Sequence, residues 1–294
     1  MAAAIMAPSL ALDHCACIVN DLAAGAARWE RLGFTLTPES RQRGAVPAQD
    51  GVQPWATANR CAILSRSYLE LVGVVDEDAF NPWARFSARY EGLHILALRT
   101  TDADAAYAAL CARTDGLQPP VPRERTVDVD GEPRIMRFRN IFSRDALWPE
   151  ARYIVIEHQT PEYLWQPRYL QHDNGAADLV DITFVAEDPD QLAPRLDALG
   201  AARVPHAQGF SARLPGRGIV HVVRCAAYAD AYGYTPCGRP GMHALTVSFH
   251  DLARTLDFLA EREVPVERST AGHWLAPRDT NGFVMRLVAA GEPS

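Results

Sequence analysis

Two histidines and two glutamates, His14, Glu70, His94 and Glu157, stand in strand-like segments of the first half of the chain. Imidazole and carboxylate together make a mixed nitrogen and oxygen donor set suited to Zn, Ni, Fe(II), Mn or Co, and an octahedral ion would keep positions open for water and substrate. Side chains alternate between the faces of a strand, so parity decides which of them can converge. His14 shares a face with Leu12, Ala16 and Ile18, Glu70 with Tyr68 and Val72, His94 with Leu96, and Glu157 with Tyr153 and Val155. Ile95, Ala97, Ile154 and Ile156 are left on the opposite side. The expectation is a polar sheet face on which the four groups hold one divalent ion, acting as a Lewis acid with positions open to substrate. Glu70 or Glu157, displaced from the ion, would be the general base. Tyr68, Asn59 and Arg60 are the nearest groups to orient the substrate, with plain capping of a strand start an equal alternative for Asn59 and Arg60.

Taken singly, a strand histidine is more often a core residue and a strand glutamate is more often solvated. The recurrence is what adds weight. A strand-like segment leading into an Asp and an amphipathic helix occurs four times, at Leu12 to Asp21, Leu93 to Asp102, Val180 to Asp188 and Met242 to Asp251. His14, His94, Asp181 and His243 lie seven or eight residues before those helix starts. Each helix ends at a Gly or polar breaker and is followed by shorter strand-like runs, so the unit reads β-α-β-β-β. Four units predict an α+β protein of two paired curved sheets, with domains at 8–165 and 177–290 and a boundary in the Pro-, Asn- and Gly-containing stretch between. The polar segment from Pro38 to Asn59 is expected to be a lid near the substrate entrance.

Composition excludes several classes. The chain has 294 residues, 48% of them hydrophobic, which is enough for a sizeable core. A net charge of −7 argues against nucleic-acid partners and, more weakly, against an anionic membrane surface. No apolar run reaches the roughly 18 residues of a membrane span. The Ala-rich start, Met1 to Leu12, has no basic region of a secretory signal, so a cytoplasmic location is expected. The six cysteines, Cys15, Cys17, Cys61, Cys111, Cys225 and Cys237, read mostly as buried free thiols. No phosphate loop is present, and the expected partner is a small molecule, with a homodimer open.

Leu12-Asp-His14, Thr57-Ala-Asn-Arg60, Tyr68-Leu-Glu-Leu71 and the stretch from Glu157-His-Gln-Thr-Pro161 to His172-Asp-Asn-Gly175 resemble the glyoxalase-like domain family of the vicinal oxygen chelate superfamily. The likeness covers about the first 180 residues, and beyond them only the repeat is shared. It implies paired units cupped around one divalent ion. The lactoylglutathione lyase branch would place its ligands at His14, Glu70, His94 and Glu157, and the extradiol dioxygenase branch at His14, His94 and Glu157. In the second half Asp181 replaces the first histidine and Arg286 stands where a ligand glutamate would be, which implies a paired domain without a metal. His221 and His243 are then structural or substrate-facing. A metal-dependent lyase or isomerase is the leading function. An extradiol-type dioxygenase, or a cup that sequesters a drug-like molecule with stacking from Trp55, Trp83 or Trp165, are the alternatives.

Overall fold

A computed structural model describes residues 8–236 and 240–291. Cys237 and the first seven residues of the Ala-rich start lie outside the described residues. Four β-α-β-β-β units follow one another. The first comprises β1 (Ala11–Val19), α1 (Leu22–Arg31), β2 (Ser40–Gly44), β3 (Gln53–Ile63) and β4 (Tyr68–Val74). A short α2 (Ala84–Ser87) leads to the second, β5 (Gly92–Arg99), α3 (Ala103–Cys111), β6 (Val121–Val129), β7 (Glu132–Phe142) and β8 (Arg152–His158). The third is β9 (Ala176–Ala186), α4 (Ala193–Ala198), β10 (Ala202–His206), β11 (Gly209–Arg213) and β12 (Ile219–Arg224). After α5 (Cys225–Tyr232) comes the fourth, β13 (Gly241–Phe249), α6 (Leu252–Glu261), β14 (Glu267–Ser269), β15 (Gly272–Leu275), α7 (Pro277–Thr280) and β16 (Val284–Ala289).

The helix starts explain why the pattern repeats. Asp21, Asp102, Asp188 and Asp251 each adopt extended backbone and accept a hydrogen bond from an N–H two or three residues on, at 2.9 to 3.1 Å. Each thereby satisfies a donor that the helix start leaves free. The strands form two eight-stranded sheets, ordered β2-β3-β4-β1-β5-β8-β7-β6 and β10-β11-β12-β9-β13-β16-β15-β14. In each, the two central strands run antiparallel and each pairs in parallel with the last strand of its own unit. This is the expected α+β architecture of paired curved sheets.

One face of both sheets packs under the helices in a single continuous core that includes Leu12, Trp29, Leu71, Leu96, Tyr153, Phe184, Leu245 and Phe283. The other face of the first sheet carries a smaller cluster, Ala16, Ile18, Val72, Ile95, Ala97, Ile154 and Ile156. That second face is the floor of a cup. Gly73 shows how tightly the first face is closed, because a Cβ there would lie 2.7 Å from the backbone of Leu22 where α1 begins. The segment from Pro38 to Asn59, expected as a lid, contributes β2 and most of β3, paired antiparallel from Ser40 opposite Asn59 to Gly44 opposite Gln53. Cys15, Cys17 and Cys61 are buried, Cys225 is half-buried and Cys111 is exposed, a departure from the expectation for Cys111. Among the described residues no helix is long and apolar enough to cross a membrane.

Candidate functional site

The site begins with an irregularity in β1. Its register against β5 runs Leu12 opposite Leu98 and then His14 opposite Ala97, so Asp13 is an extra, bulged residue. The bulge turns the Asp13 carboxylate under His14, where it is completely buried and accepts from His14 Nδ1 at 2.7 Å, from Arg99 Nε at 2.6 Å and from His158 Nε2 at 3.3 Å. Burial by itself would raise the Asp13 pKa, but the hydrogen bonds from His14 and His158 outweigh it and hold the carboxyl well below the usual carboxylate range. An ionised Asp13 accepts only, so the His14 proton sits on Nδ1 and the lone pair on Nε2.

That lone pair faces Glu70. His14 Nε2 lies 3.7 Å from Glu70 Oε2, and the His14 ring stacks on Tyr68 with centroids 4.2 Å apart. Asn59, two strands away from β1, donates its amide to Glu70 Oε1 and accepts from Arg125 on β6 at 2.7 Å. His14, Glu70, Asn59 and Tyr68 therefore meet at one point, in the wall of a cavity of about 860 Å³. The cavity also takes in Pro38 to Arg43, which puts the first part of the expected lid at its rim, along with Trp55 and Trp83. Trp165 instead packs edge-on against Tyr68 and His158 and donates to the Leu64 carbonyl. Burial pushes the Tyr68 hydroxyl pKa well up, with Asp13 and Glu70 adding to the effect, so Tyr68 is a hydrogen-bond donor and not a base.

Three expected site residues lie elsewhere, and each is a correction. His94 does not join His14. Counting back from the helix caps, His14 stands seven residues before Asp21, whereas His94 stands eight before Asp102. The true counterpart of His14 is Ile95, which pairs with Arg152 as His14 pairs with Tyr68. His94 is the bulged residue of β5, its Nε2 bonded to the Tyr90 carbonyl at 2.8 Å and its ring against Tyr90 and Phe86. Burial pulls its pKa down to about 4, which keeps it neutral at physiological pH. Glu157 faces the helices, accepting from the Ala103 N–H at the start of α3 at 3.0 Å, with Arg139 3.8 Å away. Arg60 points away from Asn59, donating to the Thr37 carbonyl at 2.9 Å and pairing with Glu30 at 2.8 Å.

The expected four-ligand metal set is thus not gathered. A divalent ion at this point would meet His14 Nε2 and Glu70 Oε2, and Ile95 and Ile154 occupy the two places related to these in the second unit. Catalytic zinc sites keep three protein ligands, and among the described residues no three His, Cys, Asp or Glu side chains converge in that way. The residues present do not fit a resident divalent ion.

The second sheet carries the counterpart positions. Asp181 stands in the place of His14 and His221 in that of Glu70, with Asp181 Oδ2 and His221 Nε2 3.8 Å apart. Ala244 and Arg286 complete the set, and Arg286 NH1 lies 3.9 Å from the same Oδ2. Burial raises the Asp181 pKa and lowers that of His221. His243 is the bulged residue of β13, as His94 is of β5. Over this face α5 lays Tyr228 and Tyr232, and Tyr232 packs edge-on against Trp274 at 5.4 Å. Aromatic rings cover the second cup where the first has its cavity.

Asp13, His158 and Arg125 were not anticipated. The signal for Asp13 was its adjacency to His14, masked by simple alternation because a bulge breaks alternation. His158 shares a face with Ile154 and Ile156, but Tyr153 and Val155 opposite are equally apolar, so the pattern did not say which face was which. Arg125 reaches Asn59 only through the pairing of distant strands.

A family model described as a glyoxalase-like domain matches residues 12–200, well over half of the chain. No curated protein matches it. Among solved structures, a hypothetical protein from Staphylococcus aureus is similar with a TM-score of 0.62 and 12% identity, covering 95% of this chain and 99% of its own. A mutant 4-hydroxymandelate synthase from Streptomyces coelicolor gives 0.57 and 14%, covering 90% and 78%, and homoprotocatechuate 2,3-dioxygenase from Arthrobacter globiformis gives 0.51 and 15%, covering 98% and 83%. At such identities the likeness is one of fold. With four β-α-β-β-β units paired into two cupped sheets and the family match across the first of them, the chain belongs to the glyoxalase-like domain family.

Proposed function

We propose that the N-terminal cup is the active site of a lyase or isomerase that moves a proton on a small carbonyl-bearing substrate. The observation that carries the reading is the chain Asp13, His14, Glu70, Asn59, Arg125, in which every member but one contact is a hydrogen bond. The exception is the 3.7 Å gap between His14 Nε2 and Glu70 Oε2, at the cavity wall. Glu70, its other oxygen fixed by Asn59, is the base that takes a proton from the carbon next to the carbonyl. On a substrate with a hydroxyl beside the carbonyl, His14 Nε2 takes the hydroxyl proton and passes it to the carbonyl oxygen, and Glu70 returns its proton to the neighbouring carbon. Asp13 stabilises the imidazolium that forms in between, as a buried carboxylate does behind a catalytic histidine. The Arg125 guanidinium, beside Asn59, offsets the negative charge that develops on that oxygen. No step is routed through a metal.

The test does not require the natural product to be known. The protein is incubated in D2O with a panel of 2-oxo and 2-hydroxy carbonyl compounds, and deuterium entering the carbon next to the carbonyl is read by mass spectrometry. Exchange in the parent that is lost in Glu70→Gln supports the reading, and exchange that survives in Glu70→Gln refutes it. A second reading, a cup that binds a molecule without changing it, is supported by the cavity's aromatic walls, Trp55, Trp83, Phe138 and Phe142. Binding with no exchange across the panel would favour it.

A further inference from the structure

The charge of the cup differs from that of the chain. The protein carries −7 overall, yet the cavity is lined by five arginines, Arg41, Arg43, Arg123, Arg125 and Arg152, against four carboxylates, Glu39, Glu70, Glu124 and Asp128, of which Asp128 and Glu124 face Arg168 and Arg137 at 2.8 and 3.9 Å. Two of the five arginines are answered by acids, Arg41 by Glu39 at 3.5 Å and Arg152 by Asp145 at 2.7 Å. Arg125 is held by the neutral Asn59. The Arg123 side chain has neither a hydrogen bond nor an ion pair among the described residues, and its guanidinium lies over the ring of Phe142, 5.8 Å from the centroid. Arg123 is an exposed residue of the cavity wall, and partial desolvation lowers its pKa with no carboxylate to offset it. A guanidinium brought to a cavity wall without a partner is a place for an anion.

Strand geometry fixes where that anion lies relative to the reacting group. Arg123 and Arg125 are alternate residues of β6 and so share the face that lines the cavity, and Phe138 is the cross-strand partner of Arg123 on β7. Alternate residues of a strand are roughly 7 Å apart. Arg152 stands between the rings of Trp83 and Phe142, 5.6 and 5.7 Å from their centroids, extending a flat aromatic wall along the same side.

We infer that the substrate is an organic anion with a flat apolar body, its charged group on Arg123 and its reacting carbonyl roughly 7 Å away beside Arg125 and Glu70. The inference rests on the proposed function for the position of the reacting end, while the anion site stands on Arg123 and its aromatic neighbours.

Calorimetric titration with 2-naphthoate and with 2-naphthylmethanol, which share a ring and differ in charge, tests it. In the parent the anion is expected to bind at least about tenfold more tightly, in line with a charge-assisted hydrogen bond, and to weaken as salt is raised. Arg123→Gln should remove the preference. Its thermal midpoint should match the parent's, because Arg123 is exposed and holds no other residue. Equal binding of the two probes, or a preference that persists in Arg123→Gln, overturns the inference. The two readings fail separately. Preferential binding of naphthoate in parent and His14→Gln alike, with no deuterium exchange in the parent, keeps the anion site and removes the proton-transfer reading. Exchange without charge preference does the reverse.

Discussion

The two cups are built on one plan, and the difference between them lies in what fills each floor. In the first, His14 faces Glu70, the other two equivalent places hold Ile95 and Ile154, and an open cavity of about 860 Å³ lies above. In the second the identities are exchanged, Asp181 facing His221, and Ala244 and Arg286 take the remaining places beneath the rings of Tyr228, Tyr232 and Trp274. Both keep an acid and an imidazole just beyond hydrogen-bond distance. Only the first has a buried carboxylate behind its histidine: Asp13 holds His14 Nδ1, whereas His221 Nδ1 meets the Ser211 hydroxyl at 2.8 Å. A neutral hydroxyl does little to stabilise an imidazolium, so the second pair lacks the group that would let it cycle protons.

The sharpest way to break this comparison is to disable each pair in turn. Glu70→Gln should lower exchange into a substrate about a thousandfold, within the range for loss of a general base. Asp181→Asn should leave the rate within about twofold of the parent, a difference of well under 1 kcal/mol in the barrier. Equal losses would place the chemistry in both cups or in neither.

Stability separates the halves next. Asp13 is buried against Arg99, His14 and His158, and Asp13→Ala leaves a guanidinium partly buried without its partner, an expected cost of about 3 to 5 kcal/mol in denaturant unfolding. Because its folded pKa is depressed, the contribution of Asp13 is fully present above the unfolded value of about 4 and is lost as pH falls below it. The parent should therefore lose stability steeply below about pH 4, and Asp13→Asn should flatten that limb.

The bulged histidines are what the two halves share. Burial pulls both His94 and His243 down to about 4, and the rings of both lie against Tyr90, at 4.1 and 4.9 Å. A depressed histidine contributes stability above its unfolded pKa of about 6.5, and that stability is lost as pH falls toward 4, at most about 3 kcal/mol for each. His94→Gln and His243→Gln should each reduce the slope of stability between about pH 6.5 and 4 by a similar amount. An effect of His94→Gln on exchange with no change in that slope would return His94 to the active site. The smallest effect is expected for Arg60→Gln, which removes a half-exposed pair with Glu30: less than about 1 kcal/mol of stability and no change in exchange.

How much of this was legible in the sequence follows from what strand periodicity can carry. The repeat was readable because four aspartates do the same capping work. Tyr68 and Glu70 were readable because their strand alternates clearly, against Leu69 and Leu71. His14 was readable instead from its place seven residues before a helix cap, since the bulge at Asp13 breaks the alternation of β1 and leaves Leu12 in the core under the helices and not on the face of His14. The second unit gave no such contrast, since β5 and β8 are apolar on both faces and one residue in the count separates His94 from Ile95. A slip of one residue exchanges the faces of a strand, which is how His94 and Glu157 came to be expected in the cup. The bulges at Asp13 and His94 depend on the twist of a sheet that no local pattern encodes.

The central claim is that the N-terminal pair moves protons without an ion held by the protein. Its most direct test is elemental analysis of the purified chain before and after exhaustive dialysis against a chelator, with deuterium exchange measured on the same samples. The expected result is far less than one divalent ion per chain after dialysis and an exchange rate that does not change. One ion per chain in the starting sample, with exchange lost on dialysis and restored by Zn, Ni, Mn or Fe(II), would contradict it.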